Sequence, residues 1–179
     1  RTTAVRQGDH YVVNGYKRFI SHAKDADFFQ LVAATDRARG SRGGLSFFLV
    51  DADTSGITIV RSTMTMMGAE TWEIAFDDVR VPVWNRVGEE GEGMGRAQSW
   101  LVVNRLRQAC IGLGYAQRSI ELMSRYAKQR VTFGAPLADR QAVQFMIANS
   151  YMEHRLTQSF IYQVAAMVDA GASPRKEGY

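Results

Sequence analysis

Residues 91–130 read GEGMGRAQSWLVVNRLRQACIGLGYAQRSIELMSRYAKQR, with no proline in the run. Apolar residues recur at Ala97, Leu101, Val102, Leu106, Cys110, Leu113, Ala116, Ile120, Met123 and Ala127. Such steps keep one stripe on one side of a helix. At ~1.5 Å per residue, a helix of roughly 35 residues spans roughly 50 Å. That is longer than an ordinary globular helix, so it should cross a whole domain or feed an oligomer interface. The stripe makes Cys110, the single cysteine, a small buried hydrophobe that can form no intrachain disulfide.

Downstream, residues 131–136 read as a loop, and a second helix is predicted over 139–170. Its buried side is expected at Ala142, Phe145, Met146, Met152, Leu156, Phe160 and Ala166, and Gly171 and Pro174 stop it. Two long helices on a short loop should pack antiparallel. Ile147, Ile161 and Val164 widen the apolar face beyond one stripe, which implies more than one neighbour.

Upstream the pattern changes to strands. In DHYVVNGYKRFI, residues 9–20, two β-rich runs flank Asn14-Gly15, which predicts a hairpin with a type I′ turn there. Further strands are expected over 28–35, 45–51, 57–61, 72–76 and 79–81, with Pro82 ending the last. The charged, glycine-rich stretch at 36–44 reads as a mobile loop. Strands at this spacing with no helical pattern between them argue an antiparallel barrel or sandwich. Glycines and glutamates at 84–95 form the boundary, and acid before a helix suits its dipole. The fold class is therefore α+β and segregated. An antiparallel β-barrel or sandwich over 1–88 precedes long antiparallel bundle helices over 89–179.

Composition excludes several classes. A net charge of +4 over 179 residues suits a phosphate-bearing ligand but needs only a solvated basic surface. No apolar run reaches ~18 residues, so no membrane span is expected. No signal or lipidation motif is visible, which implies an intracellular setting. Metal-ligand spacings, nucleophile elbows and phosphate loops are absent, and His10, His22 and His154 lie far apart. The chain starts on Arg1 and stops after ASPRKEGY, which reads as a piece of a longer protein.

Five segments, in order, point further. They are GDHYVVNGYKRFISHAKDADFF, FFLVDADTSGI, the MG and EIAFDDVRVP pair, the long helix, and YAKQRVTFGAPLADRQAVQFMIA. Together they resemble the acyl-CoA dehydrogenase family, over nearly the whole chain. The resemblance implies the family's middle β-barrel plus the first helices of its C-terminal domain. The N-terminal helical domain and the last helices are expected to lie outside this chain. It implies an FAD-dependent oxidoreductase that takes the α-proton of an acyl-CoA thioester on a carboxylate and passes the β-hydrogen to flavin N5. An electron-transfer flavoprotein is the implied acceptor, in a homo-oligomer built as a dimer of dimers.

The resemblance also implies site residues. Phe19-Ile20-Ser21 stands where the family has Trp-x-Thr against the flavin. Phe keeps an aromatic face and Ser keeps a hydroxyl. Arg130, Thr132 and Phe133 match the RxxFG element, and Gln141 follows at the family spacing. In the family these groups hold the adenosine-diphosphate end of FAD from a neighbouring subunit. Arg105 matches the arginine of Asp-x-x-Arg beside the acyl-CoA, while Val102 replaces the aspartate. Asn104 takes a position where some members carry the catalytic glutamate, and asparagine cannot be a base. The usual catalytic glutamate is expected past Tyr179, so no catalytic residue and no metal ligand is assigned here. The segment AETW after Met67-Gly68 is shorter than the family loop. That departure and Val102 leave room for an acyl-CoA oxidase or a flavin monooxygenase. A non-catalytic branch that binds nucleic acid is disfavoured because no Lys/Arg stripe runs along either helix.

Overall fold

The computed structural model describes residues 2–174, 176 and 177, and the chain divides into two units, 1–98 and 99–179. Six strands build the first unit. They are β1 (Thr3–Gln7), β2 (His10–Ser21), β3 (Phe28–Ala34), β4 (Leu45–Asp51), β5 (Ile57–Met64) and β6 (Glu70–Pro82). Their order is β4-β3-β1-β2-β6-β5. The pairs are antiparallel except β1 with β3, which meet in parallel at Thr3 and Ala34. The sheet is thus mixed and open, since β4 and β5 end it without pairing to each other, whereas sequence spacing predicts an all-antiparallel barrel or sandwich. It curls all the same. Tyr11 of β2 and Phe48 of β4, with two strands between them, meet edge-to-face at 4.9 Å, an arrangement aromatic pairs favour. Around them Val13, Leu31, Val50, Ile74, Val79 and Val81 are buried.

The predicted turn at Asn14-Gly15 does not exist. β2 runs straight through it, and the hairpin turns at Gly8 and Asp9 instead, after a first strand the sequence reading missed. A type I′ turn needs positive φ at both central residues, yet Asn14 is not among the positive-φ residues. Its side chain is engaged across the sheet. Nδ2 donates to Asp78 Oδ1 at 2.8 Å, and the Asp78 amide donates back to Oδ1 at 2.8 Å. The result is a bulge against β6, with the register slipping between Val13 and Gly15 and Gly15 at φ 138°.

The stretch before the long helix is also pinned. The Val87 amide donates to the Phe47 carbonyl at 2.8 Å, Asn85 Nδ2 to the Leu49 carbonyl at 2.9 Å, and the Gly91 amide to Ser46 Oγ at 3.1 Å. These bonds cover the outer edge of β4, which would otherwise expose unpaired backbone. Gly91, at φ 89°, lies so close to the Gly43 carbonyl that a Cβ would clash at 2.5 Å.

The second unit holds most of α1 (Gly93–Gln129), a small hairpin of β7 (Val131–Thr132) and β8 (Ala135–Pro136), and α2 (Gln141–Asp169). Both helices are where periodicity predicts them. On α1 the expected stripe holds the buried Val102 and Ala127 and the half-buried Leu101, Leu106, Leu113 and Ile120, whereas the expected side of α2 is not the buried one. On α2 the buried residues are His154, Ile161 and Val164, while Phe145, Met146, Met152, Leu156 and Phe160 are exposed. Cys110 is exposed as well. Within the second unit the two helices meet along one seam, and Phe145, Met146, Met152 and Leu156 lie off it.

Candidate functional site

The sequence-predicted residues fall into three places. The first is the tip of β2. Pairing with β6 slips between Lys17 and Ile20, and Phe19 takes the left-handed conformation at φ 58°. A non-glycine residue there is strained by ~1–3 kcal/mol, a cost typical of ligand-facing positions. The bulge re-aims the tip. Phe19 is 71% exposed, Ile20 packs on the core with Trp72, and Ser21 lines a cavity of about 460 Å³. His22, Lys24, Asp25, Glu70 and Trp72 share that lining, and Lys24 Nζ stands 5.9 Å from the Trp72 ring centre. Sequence reasoning missed Trp72 and the turn at 22–25, although Trp72 lies in the shortened AETW segment. That segment closes a tight hairpin, with the Thr65 amide donating to the Ala69 carbonyl at 2.8 Å.

The second place is the hairpin that joins the long helices. Phe133 and Gly134 both have positive φ, 50° and 78°, between the pairs Val131–Pro136 and Thr132–Ala135. That is a two-residue turn of the primed kind, here formed by Phe-Gly rather than Asn-Gly. Arg140 Nη2 donates to the Thr132 carbonyl at 2.8 Å and stiffens it. Phe133 stands 99% exposed at the tip. Arg130 and Gln141 are exposed beside it, and among the described residues Arg130 has no carboxylate partner. A free guanidinium and an exposed aromatic on a rigid turn suit the pyrophosphate and flat base of a dinucleotide.

The third place is the seam of the two helices. Val102 is buried, and Arg105 is half-buried. Both line a largely apolar cavity of about 470 Å³ with Leu106, Phe160 and Ile161. Asn104 Oδ1 accepts bonds from Arg107 Nε at 3.3 Å and Nη2 at 3.0 Å. Among the described residues no cluster of His, Cys, Asp or Glu could hold a metal, and no helix is long and apolar enough to cross a membrane.

Two halves of one family match this chain. Residues 1–79 match the acyl-CoA dehydrogenase middle domain, and residues 91–179 match the acyl-CoA dehydrogenase C-terminal domain. The chain belongs to the acyl-CoA dehydrogenase family. It is 37% identical over 178 residues to the caffeyl-CoA reductase-Etf complex subunit CarC of Acetobacterium woodii, covering 98% of this chain and 47% of that protein. It is 36% identical over 173 residues to cyclohexane-1-carbonyl-CoA dehydrogenase of Geobacter metallireducens, covering 96% and 45%. Butyryl-CoA dehydrogenase of Megasphaera elsdenii superposes with a TM-score of 0.91 at 31% identity, covering 99% of this chain and 47% of that one. The chain thus spans about half the length of the relatives it matches.

Proposed function

We propose that this chain carries the flavin-contacting half of an FAD-dependent acyl-CoA oxidoreductase that works on the α,β bond of an acyl-CoA thioester. The observation behind the reading is the bulged tip of β2. It sets an exposed aromatic at positive φ next to a serine at the mouth of a cavity, at the family's flavin position. FAD, when bound, supplies a two-electron acceptor. Phe19 covers the ring face and keeps water from it. Ile20 anchors the tip, and Ser21 offers a hydroxyl and an amide to the ring edge. Arg130 grips the pyrophosphate in a bidentate way, while Thr132, Phe133 and Gln141 hold the rest of the adenosine-diphosphate end. In this reading a neighbouring subunit of a dimer of dimers lends that hairpin, and two-fold symmetry makes the loan mutual. Arg105 provides the positive charge on the substrate side, next to Val102 and Asn104. None of the residues present is assigned as the base. The middle domain ends at 88, and the bundle begins at 89.

CarC is named as part of a complex with Etf; an electron-transfer flavoprotein is accordingly our choice of redox partner, in an intracellular setting. Ser21→Ala in the full-length protein should shift the flavin absorption bands or potential. Unchanged bands, potential and turnover would count against the site. The tight turn at 65–69 and Val102 favour a second reading, an acyl-CoA oxidase or flavin monooxygenase. Rapid reoxidation of the reduced flavin by O₂ identifies it, and slow reoxidation excludes it.

A further inference from the structure

Lys17 lies on β2, shortly before that strand ends at Ser21. β1 lies between β2 and β3, and its Thr3 faces Asn14 on one side and Ala34 on the other. Thr2 bonds to both neighbours, its carbonyl accepting the Ala34 amide at 3.0 Å and its hydroxyl donating to the Tyr16 carbonyl at 3.0 Å. Lys17 reaches from β2 to β3: Nζ donates to the Val32 carbonyl at 2.6 Å. Among the described residues this is the only hydrogen bond that joins β2 directly to β3. The slip in register and the positive φ of Phe19 follow at once.

The bond is an odd choice for stability. Burial pulls the Lys17 ammonium below the ordinary lysine value of 10.5, and among the described residues no carboxylate pairs with it. A half-buried cation held by one carbonyl is a desolvated charge. A methionine would fill the same space without that cost. Geometry, rather than net stability, is then what the lysine secures.

We propose that Lys17 is a positioning residue, a strut whose hold on the Val32 carbonyl keeps the tip of β2 in the bulged form that presents Phe19 and Ser21 to the cavity. The link to a flavin rests on the function proposed above; the strut does not. The test is Lys17→Met in the full-length holoprotein, followed by amide hydrogen exchange. Exchange at residues 18–21 should speed up at least tenfold, with β1 and β4 unchanged and the melting temperature equal or higher. The flavin bands should move in the same direction as in Ser21→Ala. Unchanged exchange at 18–21, or acceleration spread evenly over the sheet, overturns the strut. Lys17→Arg keeps a cationic donor. Near wild-type exchange in that variant supports the strut, and loosening equal to that of Lys17→Met overturns it. Bands that move in Ser21→Ala but not in Lys17→Met break the link between strut and cavity. Bands that move in neither variant sink the flavin reading alone, while exchange still decides the strut.

Discussion

The two units bury their apolar residues very differently. In the sheet unit, Tyr11, Val13, Phe48 and Val79 are at 0% exposure, and even the outer edge of β4 is covered by the chain that follows β6. In the helical unit the buried hydrophobics among the described residues are Val102, Ala127, Ile161 and Val164, while Phe145, Met146, Tyr151, Leu156, Phe160 and Tyr162 are at least half exposed. The first unit closes its own core. The second is a pair of helices that shares one seam and leaves the remaining apolar surface for something else to cover. Strand alternation fixes which side faces the core, because the sheet has one inside. A helix in a bundle can have several buried faces, and only one of them is internal to this unit.

The sharpest way to break the contrast is truncation on each side. Phe48→Ala should destabilise the sheet unit by ~3–5 kcal/mol, since it empties a fully packed ring site. Leu156→Ala should change the helical unit's own stability by less than ~0.5 kcal/mol, as exposed substitutions do. Urea unfolding of both variants decides it. Comparable losses would show that the α2 face is covered after all. Next comes the hairpin. Arg130→Glu should weaken FAD retention by about tenfold or more, the loss of one charge-assisted contact plus repulsion. Lys128→Glu, a nearby charge at no family ligand position, should leave it unchanged. Equal retention in both would remove the hairpin from the site.

Both helices and most strands were legible from period alone, and the family from the order of its segments. What failed did so for local reasons. Asn14-Gly15 has turn chemistry, but Asp78, distant in sequence, captures the asparagine side chain and holds a bulge. The primed turn formed instead at Phe133-Gly134, where no Asn or Asp announces it. Phe145 and Leu156 are apolar, as a buried face requires, yet composition cannot say which neighbour does the burying. Lys17 looked like any strand lysine, because its acceptor is a backbone carbonyl that no side-chain pattern encodes.

Inside the helical seam a smaller effect of opposite sign is expected. His154 is 6% exposed, and neither ring nitrogen has a hydrogen-bond partner among the described residues. A buried polar group left without a partner costs ~1–3 kcal/mol. His154→Leu, of similar size, should therefore stabilise the helical unit by about 1 kcal/mol, read as a higher urea midpoint with an unchanged slope. A lower midpoint would mean that the imidazole is satisfied by a group outside this chain.

The mildest test returns to the sheet unit and its charges. Glu73 lies between two arginines, with Oε1 at 2.9 Å from Arg61 Nη2 and 3.2 Å from Arg18 Nε. The hydrogen bond from Arg61 is the main reason its carboxyl titrates below the ordinary 4.5. A carboxyl depressed in the folded state binds fewer protons than the unfolded chain does in the window between the two values. Stability therefore rises with pH across that window, is fully present above about 4.5, and is lost as pH falls through the folded value. Arg61→Gln removes the main cause and leaves Arg18, so the folded value moves back toward 4.5 and the acid slope flattens. Both arginines are well exposed, so solvent screens the pair and the neutral-pH loss is small. Urea unfolding at several pH values between 6 and 3 should show the variant slightly less stable at the top of that range, converging on the wild type at the bottom. Parallel curves would show that Arg18 alone sets the Glu73 titration.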